Sequence, residues 1–225
     1  MIVPKIAPSI LAGDHGYLAR EASRLEEWGA DLIHVDIMDG IFAPNLTFGP
    51  GAVKSINKVT DLPLDCHLML QQPENFTEKF LESGADYITV HCEAVNENTL
   101  SRIEREVKRH DAKLGIAFKP ATALSSIDLS KHEVSLVNVM TVNPGFSGQK
   151  FMPNVVPKIQ EAWNTFGKRH VEIEVDGGVE LSNAKLISES GATILVAGNS
   201  VFGQNDPESA LKELRSSVEG QQHVH

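Results

Sequence analysis

Several features are scarce or missing in this 225-residue sequence, and each absence narrows its function. Positive charge is in deficit: 20 Lys and Arg face 30 Asp and Glu, a formal net charge of −10. No basic cluster interrupts that balance. Nucleic-acid binding, which needs Lys and Arg against phosphates, is therefore not expected. An anionic ligand must be held locally, by backbone N–H groups rather than by net charge. Cysteine is rare, with only Cys66 and Cys92 and no CxxC. That excludes a disulfide framework and leaves two buried thiols as the reading. No run of about 18 apolar residues occurs, so no membrane span is expected. The opening Met1-Ile2-Val3-Pro4-Lys5-Ile6 lacks the basic, apolar and small-residue pattern of a signal peptide, and a cytoplasmic protein is expected. GxGxxG, Walker, HExxH and GxSxG motifs are all absent.

What is present reads as one folded domain. Apolar residues make up 41% and charged residues 22%, ordinary values for a globular chain. Short runs rich in Val, Ile and Leu predict strands at Lys5–Leu11, Leu32–Met38, Leu64–Leu70, Tyr87–His91, Leu114–Lys119, Leu136–Val142, Val171–Asp176 and Thr193–Ala197. Between them, apolar residues recur at helical spacing, as in Leu18, Ala22, Leu25 and Trp28, or Leu100, Ile103 and Val107. Eight β/α alternations in this length predict an α/β fold, a (β/α)8 TIM barrel. A doubly wound open sheet is the alternative. A weak repeat supports the count. Gly29-Ala30-Asp31, Gly84-Ala85-Asp86 and Gly191-Ala192-Thr193 each place glycine between a helix end and a strand, where positive φ is required. The barrel is expected over residues 1–219. Residues 220–225, with His223 and His225, read as a solvated tail.

Function in such a barrel collects at the C-terminal ends of the strands. Side chains alternate along a strand. His34, Asp36 and Met38 therefore share one face, as do Asp65, His67 and Met69, and Glu174 and Asp176. Two imidazoles and two carboxylates converging from three strands suit a divalent metal: zinc by default, with iron, cobalt or manganese open. Asp65 and Glu174 lie one step deeper, as groups that orient the imidazoles or as buried charges without an assigned role. His91 has no readable partner and is taken as structural. Three glycine-rich turns follow strands 6, 7 and 8: Asn143–Gln149, Asp176–Val179 and Ala197–Ser200. Glycine lets backbone N–H groups approach a phosphate, and a helix N-terminus favours the anion. Lys119, at the end of strand 5, keeps a Schiff-base aldolase open as a different class of function.

These motifs closely resemble the ribulose-phosphate 3-epimerase family. The resemblance rests on Ala7–Leu11, His34–Asn45, Leu64–Met69, Asn143–Phe151 and Val175–Val179, and it runs from Ile6 to about Arg215. It implies that His34, Asp36, His67 and Asp176 ligate one divalent metal per subunit, and that Asp36 and Asp176 are the acid/base pair. It implies substrate contacts from Ser9 and His67, with Met38, Met69 and Met140 capping the reacting carbons. It assigns phosphate binding to Gly145, Phe146, Ser147, Gly148, Gly177, Gly178, Gly198 and Asn199. Ser147, Asn199 and Lys119-Pro120 depart from residues common in the family. The implied partner is a pentulose phosphate, interconverted between ribulose 5-phosphate and xylulose 5-phosphate, within a homo-oligomer of two or more chains. A 3-epimerase acting on the six-carbon allulose 6-phosphate is the nearest rival.

Overall fold

The computed structural model describes residues 3–219. The tail expected at 220–225 lies outside the described residues. Eight strands form one parallel sheet, in the order β1-β8-β7-β6-β5-β4-β3-β2. They are β1 Lys5–Pro8, β2 Ile33–Met38, β3 Leu64–Met69, β4 Tyr87–His91, β5 Lys113–Phe118, β6 Leu136–Met140, β7 Glu172–Asp176 and β8 Ile194–Ala197. A parallel bridge between Ser9 and His34 brings the two ends of the sheet together and closes the barrel. The open doubly wound alternative is thereby excluded.

Helices wrap the barrel: α1 Leu18–Glu27, α2 Pro50–Asn57, α3 Thr77–Leu81, α4 Glu97–Arg109, α5 Val156–Phe166, α6 Leu181–Glu189, α7 Asn199–Phe202 and α8 Pro207–Glu219. Helix α4 shows how local sequence sets its limits. The Asn96 side chain accepts from the Asn98 and Thr99 N–H groups at 3.0 Å, and Lys108 and Arg109 complement the dipole at the other end. Its apolar stripe, Leu100, Ile103 and Val107, is buried. The stripe joins the outward-facing Val35, Ile37, Leu68, Ile88 and Val90 in the main core between sheet and helices. Burying each such side chain contributes roughly 1.5–3 kcal/mol. The three helix-ending glycines have φ of +85° at Gly29, +100° at Gly84 and +109° at Gly191.

Two expectations need correction. The first strand was expected to reach Leu11 but ends at Pro8, and Ile10–Ala12 form a 3-10 turn. The Ser9 N–H still donates to Ala197 O at 3.0 Å, and the chain then turns as the Ala12 N–H donates back to Ser9 O at 3.2 Å. The link between β5 and β6 carries two 3-10 turns, Leu124–Ser126 and Leu129–Lys131, rather than an α-helix. There Asp128 takes both the N–H and the hydroxyl of Ser130, at 3.0 and 2.6 Å. Such local bonds compete with a helical ladder.

Inside the barrel, Ala7, Leu32, Tyr87, Leu136, Ile194 and Val196 form a separate apolar cluster that takes in the first residues of β4, β6 and β8. Polar side chains fill the lumen beyond it. Among the described residues no helix is long and apolar enough to cross a membrane.

Candidate metal centre and the cavity beside it

Register decides which side chains meet. On β2 and β3, His34 lies level with Asp65 and Asp36 level with His67. On β6 and β7, Asn138 lies level with Glu174 and Met140 with Asp176. The expected face sharing is therefore real, and all of these side chains are buried. One ligand atom from each of His34, Asp36, His67 and Asp176 falls within 4.8 Å of the others. His34 Nε2 lies 3.3 Å from Asp36 Oδ1 and 3.9 Å from Asp176 Oδ2. His67 Nδ1 lies 3.3 Å from Asp36 Oδ1 and 3.5 Å from Asp176 Oδ2. Both of those imidazole nitrogens are buried without a hydrogen-bond partner. Bare buried nitrogens are costly. Two of them facing two carboxylates form a donor set that fits a divalent transition metal.

The far sides of both rings are held. His34 Nδ1–H donates to Asp65 Oδ2 at 2.7 Å, and Asp65 Oδ1 accepts from the Thr89 hydroxyl at 2.8 Å. Asp65 is thus an orienting group for His34. Burial opposes ionisation of Asp65, but His34 and Thr89 outweigh it and keep its pKa low. Glu174 Oε2 lies 3.8 Å from His34 Nδ1, and neither oxygen has a hydrogen-bond partner. Burial, reinforced by the Asp65 charge, pushes its pKa up to about 8.

His91 had no partner legible in the sequence, yet it meets a candidate ligand directly. His91 Nε2 lies 2.9 Å from His67 Nε2, and its Nδ1 lies 2.9 Å from Glu93 Oε2. The available signal was parity: His91 follows Thr89 by two residues, and Thr89 pairs with His67. Burial lowers the His91 pKa to about 4, so this ring is neutral at pH 7. The candidate ligands behave differently. Burial alone would lower the His67 pKa, but the carboxylates of Asp176 and Asp36 that face it outweigh burial and lift it to about 9. His34 is likewise raised against burial, chiefly by the charge of Asp36. Burial disfavours the Asp36 carboxylate, yet His34 and His67 hold its pKa far below the ordinary range.

A cavity of about 1250 Å³ adjoins the cluster. Ser9, Asp36, Met38, Met69, Met140 and Asp176 line it, and the two histidines sit behind this wall. Ser9 Oγ donates to Asp36 Oδ2 at 2.6 Å. The three glycine-rich turns line the same cavity, through Gly145, Phe146, Ser147 and Gly148, through Gly177 and Gly178, and through Gly198 and Asn199. Gly178 has φ +65°, and a Cβ there would lie 2.3 Å from the Phe151 backbone nitrogen. Only glycine fits that turn. Asn45 Nδ2 donates to Gly145 O at 3.0 Å, tying the loop after β2 to the loop after β6. Lys119 is not part of the cavity wall; its Nζ lies 3.9 Å from the centroid of the Phe42 ring. The Schiff-base reading gains nothing from that placement. Cys66 and Cys92 are free and buried, as expected.

A closed TIM barrel with a buried two-histidine, two-aspartate cluster opening on a glycine-rimmed cavity defines a candidate metal-centred enzyme. The comparisons with known proteins are specific. The model of the ribulose-phosphate 3 epimerase family matches residues 5–202. The ribulose-phosphate 3-epimerase of Bacillus subtilis (strain 168) is 45% identical over 216 residues, 95% of this chain and 99% of that protein. The chloroplastic ribulose-5-phosphate-3-epimerase of Arabidopsis thaliana is 43% identical, over 94% of this chain and 76% of that protein. Among solved structures, KGPDC from Streptococcus mutans aligns with a TM-score of 0.74 at 12% identity, covering 96% of this chain and 98% of that one. A 3-hexulose-6-phosphate synthase aligns with a TM-score of 0.71 at 18% identity, covering 95% and 99%. These two likenesses show the fold alone. The chain belongs to the ribulose-phosphate 3-epimerase family, and so to the isomerases that act on carbohydrates.

Proposed function

We propose that this protein interconverts ribulose 5-phosphate and xylulose 5-phosphate by moving the proton at C3. The observation that carries this reading is the pair Asp36 and Asp176: two carboxylates from β2 and β7 that line one cavity and converge on one cluster. Binding alone needs no such pair. Epimerisation does, because a proton must leave one face of C3 and return to the other.

His34, Asp36, His67 and Asp176 would hold one divalent metal, zinc by default, which supplies Lewis acidity against the negative charge that develops during proton removal. The protein's own groups do the rest. One of Asp36 and Asp176 takes the C3 proton, leaving a planar cis-enediolate. The other returns a proton to the opposite face, and the roles exchange with direction. Ser9 donates to Asp36 Oδ2 and so leaves the other oxygen, Oδ1, towards the histidines. Met38, Met69 and Met140 give this end of the cavity an apolar, water-excluding lining that does not compete for protons. Backbone N–H groups of the turns at Gly145–Gly148, Gly177–Gly178 and Gly198–Asn199 receive the phosphate. This activity belongs to the pentose phosphate pathway, in a cytoplasmic homo-oligomer.

The test is exchange at C3 of ribulose 5-phosphate in deuterated water, followed by NMR, with metal-loaded and chelator-stripped protein in parallel. Metal-dependent deuterium at C3, with xylulose 5-phosphate appearing, is the expected result. No exchange with bound metal present would reject the five-carbon substrate and leave a longer ketose phosphate such as allulose 6-phosphate. Exchange that survives complete metal removal would reject the metal centre.

A further inference from the structure

The proton positions around His67 follow from its neighbours. A carboxylate only accepts hydrogen bonds, and a neutral imidazole has one donor and one acceptor nitrogen. Glu93 Oε1 accepts from the Lys119 backbone N–H at 2.8 Å. Glu93 Oε2 faces His91 Nδ1 at 2.9 Å, so that nitrogen must carry the proton. His91 Nε2 is then the acceptor, and His67 Nε2, 2.9 Å away, must donate to it. The only place left for a lone pair on a neutral His67 is Nδ1, the buried nitrogen that faces Asp36 and Asp176. Phe42 closes over this chain of bonds, its ring centroid 4.6 Å from that of His91.

We infer that Glu93 and His91 are positioning residues that lock His67 in the tautomer able to ligate metal through Nδ1. The inference rests on the reading of His67 as a metal ligand. It also separates the two histidines of the site. His34 is oriented directly by an anion, Asp65, whereas His67 is oriented through a neutral ring with its anion one residue further out. The lock is anchored outside the lumen: Glu93 follows β4, and its second oxygen binds the backbone just after β5.

Glu93→Gln reverses the lock without changing its shape. The glutamine oxygen keeps the Lys119 N–H, which turns its NH2 group towards His91 Nδ1. That nitrogen becomes an acceptor, and the His91 proton moves to Nε2. His67 Nε2 must then accept, and its proton sits on Nδ1, where the metal would bind. Glu93→Ala removes the acceptor but installs no opposing donor, so it is the milder change.

Two readouts test this. Cobalt(II) binding is followed by its visible absorption, with zinc as competitor. Long-range proton–nitrogen spectra of the zinc-loaded wild type locate the imidazole protons. The expected spectra place protons on His67 Nε2 and His91 Nδ1. Glu93→Gln is expected to bind cobalt at least about tenfold more weakly than wild type, in line with losses on disturbing ligand-orienting groups. Glu93→Ala is expected to fall between the two, an order that a merely structural role of Glu93 would not produce. Wild-type-like cobalt affinity in folded Glu93→Gln, or a zinc-loaded wild type with the His67 proton on Nδ1, overturns the inference while leaving the metal centre standing. Wild-type protein that binds no cobalt overturns both. If Glu93→Gln does not fold, the wild-type spectra decide alone.

Discussion

Replacing Asp176 by Asn probes the chemistry most directly. Asparagine keeps the shape of the side chain and one oxygen near His34 Nε2 and His67 Nδ1, which lie 3.9 and 3.5 Å from the present carboxylate. What it loses is the ability to take or give a proton. A positioned acid–base group contributes about 10²–10⁴-fold to rate, which is about 2.7–5.5 kcal/mol of barrier. Epimerisation by metal-saturated Asp176→Asn should therefore fall at least about 100-fold. Metal must be saturating, because the substitution also removes one of the proposed anionic ligands. A second consequence is more diagnostic. Asp36 remains able to remove and return a proton on its own face of C3. One epimer should still exchange its C3 proton with deuterated water, without conversion, while the other epimer should not exchange at all. Asp36→Asn should show the opposite asymmetry. The assay is NMR of each epimer separately in deuterated water. Near-normal turnover by either loaded variant, or exchange of both epimers by one variant, would refute the assignment of the two carboxylates to opposite faces.

Metal affinity should depend on pH in a defined direction. His67 keeps its proton in the metal-free protein up to about pH 9, and a metal must displace it, so apparent affinity should climb as pH rises and level off above about 9. His34, also raised, should steepen the climb; a zinc titration that shows affinity flat between about pH 6 and 9 would contradict this. The same shift stabilises the metal-free fold below the ordinary imidazole pKa and is lost as pH rises through about 9. Asp65→Asn can keep both of its hydrogen bonds, to His34 Nδ1–H and to Thr89 Oγ, but not its charge. Zinc affinity is expected to drop about 10–100-fold with the melting profile largely kept, as read by chelator competition. Gly178→Ala forces a side chain into φ +65° against the Phe151 backbone nitrogen. Left-handed strain of about 1–2 kcal/mol and the clash should raise KM for the phosphorylated substrate by about tenfold or more, and an unchanged KM would reject the turn as a phosphate site.

Much of this protein follows from local pattern. The alternation of period two in His34–Asp39 and Asp65–Met69 already sorts lumen from helix layer, because a strand has no other way to place its side chains. Positive φ at Gly29, Gly84 and Gly191 was legible for a similar reason: a helix that must turn into a strand within a residue or two needs it. The candidate ligands His34, Asp36, His67 and Asp176 were visible as residues facing one side of their strands. What local pattern does not contain is the offset between neighbouring strands. That offset is set by barrel closure and by packing of the outer helices, which are sums over the whole chain. It alone brings His67 against His91 across 24 positions of sequence, and His34 against Asp65 across 31. It alone leaves Asn138 and Glu174 side by side. The β5–β6 link escaped for another reason, since the bonds of Asp128 to Ser130 outweigh helix formation in a segment with little else to hold it. The ionisable groups were thus determined by sequence, and tertiary structure decided their proton positions, because a tautomer is fixed by which donor or acceptor stands next to each ring nitrogen.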